Sequence, residues 1–177
     1  MKARILVWLV ALFCCHNASF AQKEFVNTSV RLSGHPRILL QKGEEKALKK
    51  VIMKDAVWKD IHQSLVDEAG EIVKLPLNER IKTGRRLLSV SRENLRRIFI
   101  LSYAYRMTGK NEFLKRAESE MLKAASFSDW NPSHFLDVGE MTMALAIGYD
   151  WLYPQLSVQT KKEIENAIVE KGLKPSF

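Results

Sequence analysis

From residue 43 onward, apolar positions recur at the three- and four-residue intervals of an amphipathic helix. Nowhere do they alternate with polar positions over a useful strand length. The spacing predicts a first helix over 44–54, with acids in its first turn and lysines in its last, the distribution a helix dipole favours. A second helix, over 56–73, places Ile61, Leu65, Ala69 and Ile72 on one face. Residues 75–90 contain Pro76 and Gly84 and read as a loop with a short helix. A third helix, over 92–107, has Leu95, Ile98, Phe99, Leu101 and Tyr105 on its apolar side and ends at Gly109. A fourth, over 112–125, turns Phe113, Ala117, Met121 and Ala124 inward. A fifth, over 136–153, stops at Pro154. A sixth starts after the N-cap residue Ser157 and ends at Lys171 and Gly172, with Pro175 beyond.

Residues 100–122 and 144–168 repeat one plan: helix, aromatic end, turn, charged amphipathic helix. Their offset of about 45 residues is that of helical-pair repeats. The expected fold class is all-α, built of stacked antiparallel helix hairpins.

The residues before 43 read differently. Residues 35–40 (HPRILL) form a short extended piece, because Gly34 and Pro36 discourage a helix. Residues 22–42 together form an extended lead-in. Residues 1–21 have the order of a secretory signal peptide: Lys2 and Arg4, an apolar run over 5–15, then a polar, small-residue stretch ending at Ala21. The run is shorter than the ~20 residues a spanning helix needs, and no comparable run follows. Export, and a periplasmic location, is the expectation. A lipoprotein reading, with the lipid on Cys15, ranks second because Phe13 and Cys14 are poor residues before it.

Composition narrows the function classes. The 177 residues suit one domain, and 46% hydrophobic against 27% charged residues argues against disorder. Cys14 and Cys15 are the only cysteines and lie in the leader, so the mature chain has no disulfide and no thiol chemistry. The net charge is +8, and +6 without the two bases of the leader. An exported basic protein meets acidic glycan or a cell surface rather than nucleic acid. Plain solubility explains a charge of that size equally well.

No phosphate-binding glycine loop, zinc-protease motif or nucleophile elbow is present. The informative stretch is 128–153, SDWNPSHFLDVGEMTMALAIGYDWLY. Trp130, His134 and Phe135 are costly residues to leave on a loop. An aromatic ring beside polar groups suits a sugar cleft, the ring stacking on a pyranose. The alternative is that Trp130 and Phe135 plug the helix base as a hydrophobic staple. The fifth helix is apolar nearly all round, hence buried, so Asp137, Glu140 and Asp150 stand out on it. His134, Asp137 and Glu140, three residues apart, share one side as a polar rim. A metal is a weak reading of this spacing, and a helix-capping role for Asp137 is at least as good a reading as a catalytic one. Asp150 needs a hydrogen-bonding partner, a neighbouring backbone or an arginine. A second candidate is the basic stretch Arg80, Lys82, Arg85, Arg86, Arg92, Arg96 and Arg97, suited to carboxylate or sulfate. Its favoured reading is a solvated face partnered by Glu79 and Glu93.

HPRILL, the segment SRENLRRIFILSYAYRMTG over 91–109 and above all SDWNPSHFLDVGEMTMALAIGYDWLYPQLS over 128–157 resemble the N-terminal part of heparinase II/III-type (alginate-lyase-like) polysaccharide lyases, over 35–177. The resemblance implies an (α/α) toroid of helical hairpins and β-elimination of uronic-acid polymers such as heparin, heparan sulfate or alginate. A Tyr or His removes the C5 proton while an Asn or His neutralises the carboxylate. No cofactor and no metal are expected. Family members carry their catalytic motifs later in the toroid, followed by a β-sandwich. No catalytic residue is therefore expected here: residues 43–177 read as a truncated toroid portion, inactive alone, with one apolar flank uncovered. Trp130, His134, Asp137 and Glu140 are expected to line or brace the substrate cleft. A glycoside hydrolase on a similar helical barrel and a non-catalytic glycan- or protein-binding module remain the alternatives.

Overall fold

A computed structural model describes residues 34–176. The expected signal peptide and residues 22–33 of the lead-in lie outside the described residues. The described chain forms six α-helices: α1 Glu45–Lys54, α2 Ala56–Lys74, α3 Leu88–Thr108, α4 Asn111–Ala125, α5 Phe135–Leu152 and α6 Val158–Ala167. A π-helical turn Ile168–Leu173 and a 3-10 turn Lys174–Ser176 extend α6. No strand occurs among the described residues, and the fold class is all-α as the periodicity requires.

Each boundary has a local cause. The Asp55 carboxylate accepts the Val57 and Trp58 N–H groups and so separates α1 from α2. Gly109, at φ +73°, ends α3 in the left-handed conformation. The Ser157 hydroxyl accepts the Thr160 N–H at 3.0 Å to start α6.

The helices pack as consecutive hairpins around α3 and α5, which share the most extensive contact. Helices α2 and α4 flank α3, and α6 returns onto α4. Ile98, Leu101, Ala104, Phe113, Ala117, Met121, Met141, Ala144 and Leu145 form the centre of the core. Gly148 is where the helices approach most closely: a Cβ there would lie 2.5 Å from Ile98 Cγ2 and from Met121 Sδ. A buried ionic cluster ties α4 to α3 and to the end of α2. Glu120 accepts from Arg97 at 3.1 Å and from Arg116 at 2.7 Å. The same two arginines donate to the Val73 and Pro76 carbonyls.

Several details differ from the sequence reading. Helix α3 begins at Leu88, a turn before the expected start, because Leu87 is buried and its N–H is capped by a residue 50 positions away, Asp137, at 2.6 Å. Residues 75–87 hold no helix, only a tight turn closed by a Thr83–Arg86 bridge. Residues 35–40 are looped rather than extended, with Leu39 at φ +57°. Ile61 continues the α2 stripe but is 46% exposed. Lys171 and Gly172 do not stop the last helix. Lys171 reaches the Ala125 and Phe127 carbonyls at the end of α4, where a cation suits the helix terminus. Gly172 packs on α5 and Trp130; a Cβ there would lie 2.5 Å from Thr142 Oγ1 and 3.1 Å from Trp130 Cζ3.

Candidate functional site

The two candidate stretches of the sequence are one region in space. The loop over 128–134 leads into α5, and the segment over 80–87 leads into α3. Arg80 donates from Nη2 to the Asp129 carboxylate at 2.5 Å and from Nε to the Asp129 carbonyl at 3.0 Å. Asn131, at φ +60°, donates from Nδ2 to the Arg85 carbonyl at 2.8 Å and to Asp137 at 2.6 Å. Asparagine tolerates that left-handed backbone better than most residues.

Asp137 is the centre of this region. It is fully buried in the first turn of α5. One oxygen accepts the Leu87 N–H and Asn131 Nδ2; the other meets His134 Nδ1 at 2.7 Å. Burial raises its affinity for a proton, but the hydrogen bonds from Asn131, the Leu87 N–H and His134 outweigh that and hold its carboxyl below the usual range. Asp137 thus pins the 85–87 segment, the 131 turn and the His134 ring together. His134 turns its remaining ring edge toward partial solvent exposure. One helical turn on, Glu140 holds Arg92 at 3.0 Å and 3.2 Å.

The four expected site residues therefore separate by role. His134, the N-cap of α5, is joined to Asp137, while Glu140 is joined to Arg92 instead. Trp130 is fully buried, and its indole N–H donates to the Ala124 carbonyl at 3.0 Å. It plugs the base of α5 and offers no ring face to a ligand. Its neighbours Phe135 and Leu136 are instead half-exposed.

The basic stretch also divides. Arg96 bonds Glu93 and Glu68, and Arg97 is buried between Glu93 and Glu120 rather than solvated. Glu79, expected opposite the arginines, pairs with Lys123 at 2.7 Å. Arg85 and Arg86 are exposed, and among the described residues no carboxylate pairs with either side chain. No group of three or more His, Asp, Glu or Cys among the described residues is placed to hold a metal ion.

A second polar junction was only half visible in the sequence. Asp150, nearly buried, accepts from His35 Nδ1 at 2.5 Å and from the Arg37 and Ile38 N–H groups at 2.9 Å and 3.0 Å. Trp151 Nε1 donates to the Ile38 carbonyl at 2.9 Å. The His35 ring stacks on Tyr153, with centroids 4.1 Å apart, and meets the edge of Tyr149. Arg106 completes the junction by bonding Glu45 and the Leu40 and Gln41 carbonyls while lying over Trp151. The need of Asp150 for a partner was legible; that His35 and the 37–38 backbone supply it was not. A cavity of about 420 Å³ opens beside this junction, lined by His35, Glu45, Tyr105, Arg106 and Trp151 among others.

Scanned against models of known protein families, the chain matches none, and no curated protein matches it.

Proposed function

We propose that this chain is the N-terminal helical part of an exported polysaccharide lyase, with a uronic-acid-containing acidic polymer as its substrate. The observation that carries the reading is the rim described above. The 80–87 segment is docked on the 128–134 loop through Arg80, Asn131 and Asp137, and these two bonded segments carry the exposed Arg85 and Arg86 and the part-exposed His134. Exposed guanidinium groups without a carboxylate partner among the described residues suit carboxylated or sulfated sugar.

The junction at Asp150 adds support. It joins two of the three segments through which the chain resembles heparinase II/III-type lyases, HPRILL and the 128–157 stretch, by a bond between residues 115 positions apart. The stacked hairpins are the units from which an (α/α) toroid is assembled.

In this reading the chain binds and braces, and the chemistry is completed by residues outside it. A base takes the C5 proton of the uronate, and the C5 electron pair forms the C4–C5 double bond. The C4–O glycosidic bond then breaks, and the departing oxygen takes a proton. His134 is a binding residue here, held in orientation by Asp137, and Glu140 positions Arg92.

The test is retention of the chain on immobilised heparan sulfate and alginate, against a neutral glucan. Binding to the acidic polymers that weakens about tenfold in an Arg85→Ala/Arg86→Ala variant, a change of ~1.4 kcal/mol, supports the rim. Equal retention of the variant removes it. Retention without turnover by the complete gene product would favour the binding-module reading.

A further inference from the structure

The α1–α2 hairpin carries a surface that the function proposed above does not use. Five lysines, Lys46, Lys49, Lys50, Lys54 and Lys59, are exposed along it. Among the described residues none of the five has a carboxylate partner. In the body of the protein, by contrast, Arg80, Arg92, Arg96, Arg97, Arg106 and Arg116 are all paired. Of the acids beside them, Glu45 is paired with Arg106, while Glu44 and Asp55 are exposed and bond only backbone N–H groups. Five lysines against the three exposed acids Glu44, Asp55 and Asp60 leave the outward charge positive by two.

The tip of the same hairpin is apolar. Met53 is 76% exposed, Val57 66%, and Trp58 and Ile61 nearly half. These residues surround the turn at Asp55. Val57 and Ile61 are four apart and Trp58 and Ile61 three apart on α2, so they are neighbours on its surface. Ile52 alone of α1 is buried, so the hairpin is anchored on one side only.

We propose that the α1–α2 hairpin docks on an anionic lipid bilayer, its lysines among the headgroups and Met53, Val57 and Trp58 in the headgroup–acyl boundary. Lysine ammonium groups on flexible stems suit a diffuse negative surface, and tryptophan suits the interface. A polysaccharide rewards the lysines and stacks on Trp58 but gives nothing to Met53 and Val57. No described helix is long and apolar enough to cross a membrane, so the contact is peripheral.

Trp58 is the reporter for the test, because the other described tryptophans, Trp130 and Trp151, are buried. The full chain is made with Trp8→Phe, since Trp8 lies in the apolar leader run. An apolar run of that kind favours lipid by itself, so the readout is taken at Trp58 and not from sedimentation. Vesicles of phosphatidylcholine, with and without phosphatidylglycerol, carry brominated acyl chains. The proposal predicts a blue shift and quenching of Trp58 on the anionic vesicles only, reversed by high salt. It predicts that Lys46→Glu/Lys49→Glu/Lys50→Glu weakens this partitioning about tenfold or more, and that Met53→Ser/Val57→Ser also weakens it. All five positions are exposed, and circular dichroism checks that the helices persist. Should a variant lose helix, the salt titration and the neutral-vesicle comparison on the parent chain decide. Equal quenching on neutral vesicles, or none on anionic ones, overturns the proposal. So does a Trp58 shift produced by heparin oligosaccharides but not by vesicles, which assigns the hairpin to glycan.

Discussion

Asp137 divides its carboxylate among a backbone N–H, an amide and an imidazole, and its own ionised state depends on all three. Replacing it by alanine leaves the buried Leu87 N–H and the Asn131 amide without this acceptor, at about 1–3 kcal/mol. The pH dependence follows from the direction of the shift. The folded carboxyl titrates below its unfolded value, near ~3.9. Its contribution is therefore full above that value and is lost as pH falls through the folded value. Urea unfolding of wild type and Asp137→Ala should give curves well separated at pH 7, with a gap that narrows as pH falls below about 4. Trp130 behaves differently. Trp130→Ala removes a fully buried ring and should cost about 3–5 kcal/mol, read as a fall in melting temperature. Glycan binding at a temperature where the variant is still folded should be unchanged, because the indole has no exposed face. The sequence marked both residues as unusual but did not separate their roles. A tryptophan on a turn-rich loop before a helix fits a ligand stack and a core plug equally well. Only the carbonyl of Ala124, six residues back, decides between them.

At the scale of elements every helix was legible, but from different signals: apolar spacing for α2, α3 and α4, terminal charges for α1, continuous apolarity for α5 and the Ser157 cap for α6. The starts and ends were less legible where the cap came from far away. No residue near Leu87 signals a helix start, since its acceptor is Asp137. Lys171 and Gly172 have the local chemistry of a stop signal, yet each serves a different helix, the lysine at the end of α4 and the glycine against α5. Gly148→Ala tests the α3–α5 contact. Met121 can swing away from the added methyl, but the branched Ile98 is held in the core, so a loss of about 1–3 kcal/mol is expected. Chemical denaturation measures it. The Asp150 junction makes a separate prediction. Asp150→Ala removes the acceptor of two backbone N–H groups of the 35–40 loop. Hydrogen exchange at Arg37 and Ile38 should accelerate at least tenfold, equivalent to ~1.4 kcal/mol of local opening, while amides in the centre of α4 keep their protection.

For the molecule as a whole, the distribution of charge is more telling than its sum. The arginines are largely consumed within the fold, holding α2, α3 and α4 together through Glu93 and Glu120. Among the described residues, the bases without a carboxylate partner include the exposed Arg85–Arg86 pair and the five lysines of the α1–α2 hairpin. The composition alone could not separate these, because a net charge carries no position. The rim supports an acidic-polymer substrate, and the resemblance supplies the reaction. The most direct measurement is the ultraviolet absorbance of unsaturated uronate while the complete gene product acts on heparan sulfate and on alginate. The account predicts that absorbance rises in step with chain cleavage on at least one of them. New reducing ends without absorbance would mean hydrolysis, and an absence of cleavage on uronate polymers would leave no lyase to which this chain belongs.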